Sequence, residues 1–240
     1  MTRRPLLQAL LGAAALGGCA SPEPAQRLAL SLDLGLSGEP SQPLWLDLPA
    51  GYAAQREPWP LLVFLHGSGE RGTELAKVRV HGPAKHIDQG TQRYPLILAS
   101  PLLAAGQSWQ PRRLQAMLRA LQRDWRIDAR RVYATGLSRG GAGVWDWGCA
   151  HPDTLAALVP VCGYGDASKV AVLREMPIRA YHGAADSVVP LARQQVLVDA
   201  VRAAGGRPEF IVYPGVDHNA WDPAYQDAAL LPWLLSQARP

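Results

Sequence analysis

The decisive stretch of this sequence reads Arg131-Val-Tyr-Ala-Thr-Gly-Leu-Ser-Arg-Gly-Gly-Ala-Gly143. A β-prone run, Val132 to Thr135, leads into a Gly-x-Ser-x-Gly turn, and a segment compatible with a helix follows. Such a turn is so tight that a Cβ at either glycine would collide with neighbouring backbone. The strained turn predicts that the Ser138 hydroxyl projects from a sheet edge as a nucleophile. A glycine-rich turn with a capping serine is the alternative, so the assignment depends on an acid and a histidine following.

Length and composition indicate one globular domain. The chain has 240 residues, of which 48% are hydrophobic and 18% are charged, and this is enough for a single core. The formal net charge is +4, and two of the positive charges, Arg3 and Arg4, lie in a segment that we expect to be removed. The other arginines are scattered without a run or stripe, which excludes a nucleic-acid partner.

The first nineteen residues have the pattern of an export signal. Arg3-Arg4 precedes an apolar run, Leu6 to Leu16, that is too short to span a bilayer. Leu16-Gly-Gly-Cys19 resembles a bacterial lipobox, in which the cysteine receives a lipid. We therefore expect a signal peptide over 1–19, lipidation of Cys19, a tether over 20–27 and a domain over 28–240. The protein would be exported to the cell envelope or periplasm, with membrane contact only through the lipid. An ordinary cleaved signal with an incidental cysteine remains the alternative.

Apolar runs and helical periods alternate along the rest of the chain. Leu28–Leu34 and Leu44–Leu48 predict half-exposed antiparallel strands at a sheet edge, and Leu61–Leu65 predicts a buried strand. Val78 to Gln89 predicts a polar surface loop without zinc-ligand spacing, and Pro223 to Gln237 predicts one final helix. The fold class is therefore α/β, with a mostly parallel sheet, helices on both faces and no cap domain.

The acid and the histidine that the serine needs follow in the required order. Asp186 comes directly after one predicted strand and His218 after the next, where open α/β sheets place their ligands. His218 is the predicted general base, and Asp186 is predicted to orient its ring. Asp217 and Asp222 are rival acids by proximity in sequence. We prefer Asp186 because neighbouring residues on an extended loop point in different directions.

A second loop predicts the site for the oxyanion. His66-Gly-Ser-Gly-Glu-Arg-Gly72 follows the buried run at Leu61–Leu65 directly. A glycine-rich loop at this position lets backbone N–H groups point into the site, as acyl transfer requires. A generic turn between a strand and a helix is the alternative.

The region from Trp59 to Trp233 resembles the α/β-hydrolases of the phospholipase/carboxylesterase and predicted-peptidase group. It looks close to polyhydroxybutyrate-depolymerase-like and prolyl-oligopeptidase-like serine esterases. The matching motifs are Leu65-His-Gly-Ser-Gly-Glu-Arg-Gly72, Thr135-Gly-Leu-Ser-Arg-Gly-Gly141, Val161-Cys-Gly163, His182-Gly-Ala-Ala-Asp186 and His218-Asn-Ala-Trp-Asp222. The resemblance implies that the N–H groups of Ser68 and Arg139 form the oxyanion hole, and that neither a cofactor nor a metal takes part. Relatives often carry Met or Gln where this chain has Arg139, and a cation there favours acidic or carbohydrate-rich substrates.

Together these residues predict a serine carboxylic-ester hydrolase that acts through an acyl-enzyme on short or bulky polar esters. The substrate is a small-molecule or oligomeric ester. Trp109 and Trp221 are candidate substrate contacts, with core packing as the alternative for each. A peptidase or amidase with the same triad, or a non-catalytic envelope binding protein, remains possible. Whether Cys149 and Cys162 form a disulfide stays open.

Overall fold

The computed structural model describes residues 25–240, so the predicted signal peptide and Cys19 lie outside the described residues. Eight strands form a single sheet. Their bounds are β1 Gln26–Leu32, β2 Gln42–Leu48, β3 Trp59–Leu65, β4 Ile97–Pro101, β5 Ile127–Leu137, β6 Ala157–Val161, β7 Arg179–Gly183 and β8 Glu209–Tyr213. Because β1 begins at Gln26, the last two residues of the predicted tether belong to the sheet.

The order of strands places the loops that follow β3 and β5 side by side. The sheet runs β1-β2-β4-β3-β5-β6-β7-β8. β1 pairs antiparallel with β2 and β2 antiparallel with β4, whereas all pairings from β4 to β8 are parallel. The chain therefore crosses from β4 over to β5 around the central strand β3. Ligands bind beyond the carboxyl ends of strands at such a reversal of strand order. The predicted mostly parallel α/β sheet is confirmed, although only β1 of the two antiparallel strands is an edge strand.

Six helices and two short 3-10 helices complete the described part of the chain. The helices are α1 Gly82–Asp88, α2 Pro111–Asp124, α3 Arg139–Ala150, α4 Ala192–Ala203, α5 Trp221–Gln226 and α6 Leu230–Ser236, and the 3-10 helices are Leu75–Arg79 and Val170–Leu173. None of the helices within residues 25–240 combines the length and the apolar character that crossing a membrane requires.

Two hydrophobic cores lie on opposite faces of the sheet. In β3, Leu61, Val63 and Leu65 belong to one core, whereas Leu62 and Phe64 belong to the other. This division follows from the alternation of side chains along a strand. The first core packs against α2, α3 and α4, and the second packs against α1, α5 and α6. Since both faces of these strands are covered, their sequences are continuous apolar runs and do not alternate between apolar and polar residues.

The predicted polar surface loop over Val78 to Gln89 is wrong. This segment completes a 3-10 helix and forms α1, and Arg79 is buried in it. The guanidinium of Arg79 lies 2.8 Å from a carboxylate oxygen of Asp47 in β2 and 2.8 Å from one of Asp88. The buried guanidinium is thus paired with two carboxylates, which is how buried charges are accommodated.

The single predicted helix over Pro223 to Gln237 is also wrong, because Asp227 divides it into α5 and α6. The Asp227 backbone is extended, with φ −60° and ψ 110°. One carboxylate oxygen accepts a hydrogen bond from the Ala229 amide at 2.9 Å and the other from the Tyr181 hydroxyl at 2.7 Å. An aspartate that hydrogen-bonds the backbone just beyond itself offers the chain an alternative to helix continuation.

Candidate active site

Ser138 lies in the strained turn that the sequence predicts. It joins β5 to α3 with φ 53° and ψ −116°, a left-handed conformation that costs free energy for a residue with a side chain. Steric contact with β3 explains why glycines flank it. A Cβ on Gly140 would lie 1.8 Å from the Leu65 carbonyl oxygen, and one on Gly136 would lie 2.6 Å from the Gly140 carbonyl. The turn is therefore pressed against the end of β3, beside the loop that follows it.

The structure brings Ser138, His218 and Asp186 into one hydrogen-bonded chain. Nε2 of His218 lies 3.0 Å from Oγ of Ser138, and Nδ1 lies 2.8 Å from Oδ2 of Asp186. Because a carboxylate oxygen only accepts, Nδ1 carries the proton and Nε2 accepts from the serine hydroxyl. Asp186 is buried, whereas the His218 side chain keeps 16% of its surface exposed. A ring with one nitrogen on a buried acid and the other on a serine can take the serine proton.

The three aspartates that compete for the role of triad acid have separate partners. Asp186 also accepts hydrogen bonds at Oδ1 from the amides of Val188 at 3.0 Å and Val189 at 2.8 Å. Asp217 instead accepts from the backbone and hydroxyl of Ser187 and from the His218 amide. These hydrogen bonds, above all the one from the Ser187 backbone, lower the pKa of the Asp217 carboxyl. Asp222 pairs with Lys85 at 3.2 Å. Only Asp186 of the three contacts the imidazole ring.

The two predicted oxyanion donors lie next to the serine, on the loop after β3 and at the start of α3. Ser68 N–H has no acceptor among residues 25–240. Arg139 is the first residue of α3, where a backbone N–H has no intrahelical acceptor. The Arg139 side chain links the loops, since its guanidinium donates to the hydroxyls of Ser68 and Ser108, both at 2.9 Å. Arg71 donates to the Ser68 carbonyl at 3.1 Å. These hydrogen bonds hold the loop after β3 against the start of α3, and they leave the N–H groups of Ser68 and Arg139 able to donate to an oxyanion.

Of the two candidate substrate-contacting tryptophans, Trp109 is a core residue. It is 6% exposed, and its Nε1 donates to the His66 carbonyl at 3.2 Å. Its ring lies edge-on to the His66 ring at a centroid distance of 5.1 Å. The predicted substrate contact for Trp109 is therefore wrong. Trp221 lies edge-on to the catalytic candidate His218, with ring centroids 5.2 Å apart, and it is half-buried. Trp221 remains next to the triad.

Sequence reasoning missed His66, which anchors the loop after β3. The ring is 1% exposed. Its Nε2 accepts from the Leu103 amide at 2.9 Å, and its Nδ1 donates to the Gly67 carbonyl at 2.7 Å. One ring therefore ties the first residues of this loop to the end of β4. A polar residue that ends a fully buried strand was the signal for this role, because its ring must find partners inside the protein.

The two described cysteines are free thiols, which answers the open question of a disulfide. Cys162 follows β6 with φ 48°, and its thiol donates to the His218 carbonyl at 3.3 Å. Burial raises the pKa of this thiol to about 12. Because only a thiolate is a strong nucleophile or metal ligand, Cys162 serves here as a hydrogen-bond donor behind the histidine loop.

Cys162 also belongs to a buried cluster with His182 and Asp186, whose potential ligand atoms all lie within 4.8 Å of one another. Residue types of this kind can hold a metal ion. Here, however, the thiol is protonated, and Asp186 already accepts hydrogen bonds at both of its oxygens. Nε2 of His182 lies 2.8 Å from the Val189 carbonyl, to which it donates. The donor set therefore fits a hydrogen-bonded support of the acid better than a metal site.

Three cavities lie away from the triad. An apolar cavity of about 260 Å³ lies between α1, α6 and the sheet, lined by Tyr94, Tyr225 and Leu230 among others. Two further cavities of about 670 and 420 Å³ lie near the C-terminus and beside Ser108, respectively. None of the three is lined by Ser138, Asp186 or His218. We locate the site by its hydrogen-bonded chain rather than by cavity size, because an open edge can bind substrate without an enclosed pocket.

Comparison with known proteins gives matches to hydrolases. A model of the dienelactone hydrolase family matches residues 97–229, more than half of the chain, and this range contains Ser138, Asp186 and His218. A Salmonella typhimurium (strain LT2) protein named "Putative carboxymethylenebutenolidase" is 31% identical over 115 residues, which are 42% of this chain and 42% of that protein.

Solved structures share the architecture. A thermostable esterase superposes with a TM-score of 0.74 at 30% identity, over 89% of this chain and 63% of its own. A ferulic acid esterase superposes with a TM-score of 0.68 at 17% identity, over 89% of this chain and all of its own. The chain thus spans less than two thirds of the length of the Salmonella protein and of the thermostable esterase. These matches agree with the α/β architecture described above.

Proposed function

The chain belongs to the dienelactone hydrolase family, and from that premise we propose that it is a serine carboxylic-ester hydrolase acting through an acyl-enzyme. One observation carries the proposal: the unbroken hydrogen-bonded chain from Oγ of Ser138 through His218 to Asp186. It lies at the carboxyl ends of parallel strands, beside the loop after β3, in which the Ser68 N–H has no acceptor among the described residues. The finer kinship with polyhydroxybutyrate-depolymerase-like and prolyl-oligopeptidase-like esterases is part of the same proposal and rests on the motifs quoted from the sequence.

Each residue of the chain has one task in the proposed reaction. Oγ of Ser138 attacks the ester carbonyl carbon while Nε2 of His218 takes its proton, and Asp186 stabilises the resulting imidazolium. The negative charge on the carbonyl oxygen is met by the N–H groups of Ser68 and Arg139. The tetrahedral intermediate collapses, its bond to the alcohol oxygen breaks, and His218 returns the proton to the leaving alcohol. Water then attacks the acyl carbon while His218 takes its proton. The bond to Oγ of Ser138 breaks, His218 returns the proton to Oγ, and the acid leaves.

The surroundings of the triad favour short or bulky polar esters as substrates. Between β6 and β7 the only regular element is a 3-10 helix of 4 residues, which is too short to cover the site. The guanidinium groups of Arg71 and Arg139 both lie at the loop after β3. Cations at this position favour substrates with carboxylate or hydroxyl groups. The half-buried Trp221 beside His218 offers an apolar surface to a ring on the substrate.

A fluorophosphonate probe tests the nucleophile. We expect the wild-type protein to be labelled once, and Ser138→Ala to abolish labelling while the protein stays folded, since alanine keeps the Cβ that the turn already accommodates. Ser168→Ala is the matched control, because that hydroxyl lies on the surface and bonds only Asp166. Labelling that persists in Ser138→Ala would refute the assignment.

Substrate panels test the reaction class. Turnover of p-nitrophenyl acetate or butyrate should exceed that of the palmitate ester, without a rise at the micelle threshold. Aminoacyl anilides should be poor substrates. Faster cleavage of the anilides would make the protein a peptidase or amidase with the same triad, and interfacial activation on palmitate would contradict an open site.

We also propose that the protein is exported and anchored by a lipid on Cys19, on the strength of Leu16-Gly-Gly-Cys19. Produced in a Gram-negative host, the full chain should partition with membranes and carry acyl chains on Cys19, as mass spectrometry would detect. Cys19→Ala should release the protein or block its maturation. A soluble, unacylated periplasmic product from the wild-type gene would establish an ordinary cleaved signal instead.

A further inference from the structure

Two histidine rings share one oxygen of the triad acid. Oδ2 of Asp186 lies 2.8 Å from Nδ1 of His218 and 3.2 Å from Nε2 of His182. Oδ1 of Asp186 is occupied by the amides of Val188 and Val189. The carboxylate therefore accepts three hydrogen bonds, from the Val188 and Val189 amides and from the His218 ring, and it lies in electrostatic contact with the His182 ring. Of these groups, only His218 belongs to the proposed catalytic machinery.

The protonation state of His182 follows from its partners. The ring is 0% exposed at the end of β7, and its Nε2 lies 2.8 Å from the Val189 carbonyl oxygen. A carbonyl oxygen only accepts, so Nε2 carries a hydrogen. Nδ1 is buried and has no partner among the described residues. Burial lowers the pKa of His182, although the contacts with Val189 and Asp186 oppose this shift. The ring is thus neutral, with its single N–H directed at the Asp186 loop.

A histidine at this buried position lowers the stability of the fold unless its N–H makes a hydrogen bond that compensates. A buried acceptor without a partner, such as Nδ1 here, destabilises a fold. The Nε2–H offsets this cost by donating to the Val189 carbonyl, and Nε2 also lies 3.2 Å from Asp186 Oδ2. Both of these oxygens belong to the loop that follows β7, whereas His182 itself is held in the sheet opposite Val212 of β8. The ring therefore connects a rigid strand to the loop that presents the acid.

We propose that His182 is a positioning residue for Asp186: its Nε2–H holds Val189 in place, and the Val189 amide in turn holds the carboxylate in the orientation that His218 requires. This inference rests on the proposed function, because it assigns the support of the same triad. His182 touches neither substrate nor reacting atoms and acts only through Asp186. The groups that face it are Asp186, His218 and the thiol of Cys162.

Sharing Oδ2 also has a consequence for the pH dependence of the reaction. The positive end of the His182 N–H dipole lies near Oδ2 and offsets part of the negative charge that acts on His218. Without His182, the whole charge acts on His218 and holds a proton on that ring more tightly. The acid limb of the kcat/KM profile should then move to higher pH. A residue that only fills space in the core would not move this limb when it is replaced.

Three substitutions separate positioning from packing. In His182→Gln the amide N–H reaches the place of Nε2, whereas in His182→Asn the shorter amide does not, and His182→Phe fills the volume without a donor. We expect His182→Gln to keep kcat within about threefold of wild type. His182→Asn and His182→Phe should lower kcat roughly 10- to 100-fold with little change in KM, as is typical when a group that orients a functional ligand is lost. The acid limb of the kcat/KM profile of His182→Asn and His182→Phe should move to higher pH.

The outcomes are distinguishable from a failure of the proposed function. If a fluorophosphonate does not label wild-type Ser138, the proposed function falls and this inference falls with it. If the wild type is labelled but Gln, Asn and Phe variants share one kcat and one pH profile, only the inference about His182 is overturned. Should His182→Phe not fold, the Gln and Asn variants still decide. In the wild type, ¹⁵N NMR should show a neutral His182 with the hydrogen on Nε2, and a protonated ring at pH 7 would contradict the proposal.

Discussion

The nucleophile and the acid lie at the same edge of the sheet, but different forces hold them. Ser138 is fixed by steric contact, because its turn is pressed against β3 so closely that Gly140 has no room for a Cβ. Asp186 is fixed by three hydrogen bonds, two from backbone amides and one from the His218 ring, and by contact with the His182 ring. The steric repulsion between backbone atoms rises steeply with any added atom, whereas hydrogen bonds can be removed one at a time.

This difference teaches how each part of the site should respond to mutation. Substitutions in the serine turn should either leave the activity unchanged or abolish it, because the backbone of the turn either keeps its position or moves as a unit. Changes around Asp186 should be graded, with an effect that depends on which donor or acceptor is lost. Three substitutions and one pH measurement test the contrast, from the largest expected effect to the smallest.

Gly140→Ala should eliminate the site. An added Cβ would lie 1.8 Å from the Leu65 carbonyl oxygen, so the turn and the end of β3 must separate. We expect no fluorophosphonate labelling and a loss of about 4 kcal/mol or more in the free energy of unfolding, measured by urea denaturation. Gly69→Ala, on the loop after β3 with open space around its Cβ position, is the matched control and should remain labelled. A labelled, stable Gly140→Ala would refute the steric account.

Asp186→Asn should leave the fold intact and cripple the reaction. By analogy with other triads, turnover should fall roughly 10⁴-fold, because an amide N–H facing Nδ1 imposes the wrong tautomer on His218. The assay is p-nitrophenyl acetate hydrolysis at pH 7, with thermal unfolding as the check on folding. Turnover within tenfold of wild type would mean that another group orients His218.

The residues proposed as the catalytic groups could be located from the sequence because each comes shortly after a strand end. Ser138 follows β5 directly, Asp186 and His218 come a few residues after β7 and β8, and strand ends can be recognised from apolar runs. The elbow could be predicted for a related reason, since only glycines tolerate such close backbone contact. The α/β class followed from the alternation of strand and helix patterns.

Features that depend on tertiary partners could not be predicted. The local sequence predicts Arg79 to be a surface residue, and its burial depends on pairing with Asp47 of β2, which is distant in sequence, as well as with Asp88 of α1. Trp109 was ambiguous because its burial depends on His66 and α3. The break at Asp227 depends in part on Tyr181 of β7. In each case a contact with a residue far away in the sequence decides between two local structures that the sequence alone predicts equally well.

Lowering the pH should reduce the free energy of unfolding through His182, which supports the loop of Asp186. Burial lowers the pKa of His182, so below about pH 6.5, the ordinary value for histidine, the unfolded chain binds a proton that the folded protein refuses. Stability from this group is thus present above pH 6.5 and lost as the pH falls. By linkage, the wild type should lose up to about 1.4 kcal/mol more per pH unit than His182→Gln between pH 6.5 and 5. The free energy of unfolding is measured by urea denaturation at each pH. An equal loss with falling pH in the two proteins would contradict this prediction.

Asp217→Asn should have the smallest effect, although Asp217 adjoins His218 in sequence. Its carboxylate does not touch the imidazole and instead accepts from the backbone and hydroxyl of Ser187 and from the His218 amide. An asparagine keeps one carbonyl oxygen that can accept the backbone hydrogen bonds. The tautomer of His218, set by Asp186, does not change.

We therefore expect turnover of Asp217→Asn within about tenfold of wild type, equivalent to roughly 1.4 kcal/mol of barrier. The loss arises because weaker acceptors hold the histidine loop against the loop of Ser187 less firmly, so kcat should fall without a shift in the pH profile. Asp222→Asn, which removes the pairing with Lys85, is the matched control in α5 just after the histidine loop. If Asp217→Asn is the crippling change and Asp186→Asn the mild one, then the hydrogen bond from Nδ1 to Asp186 does not determine how His218 works, and the contrast between the two sides of the site is wrong.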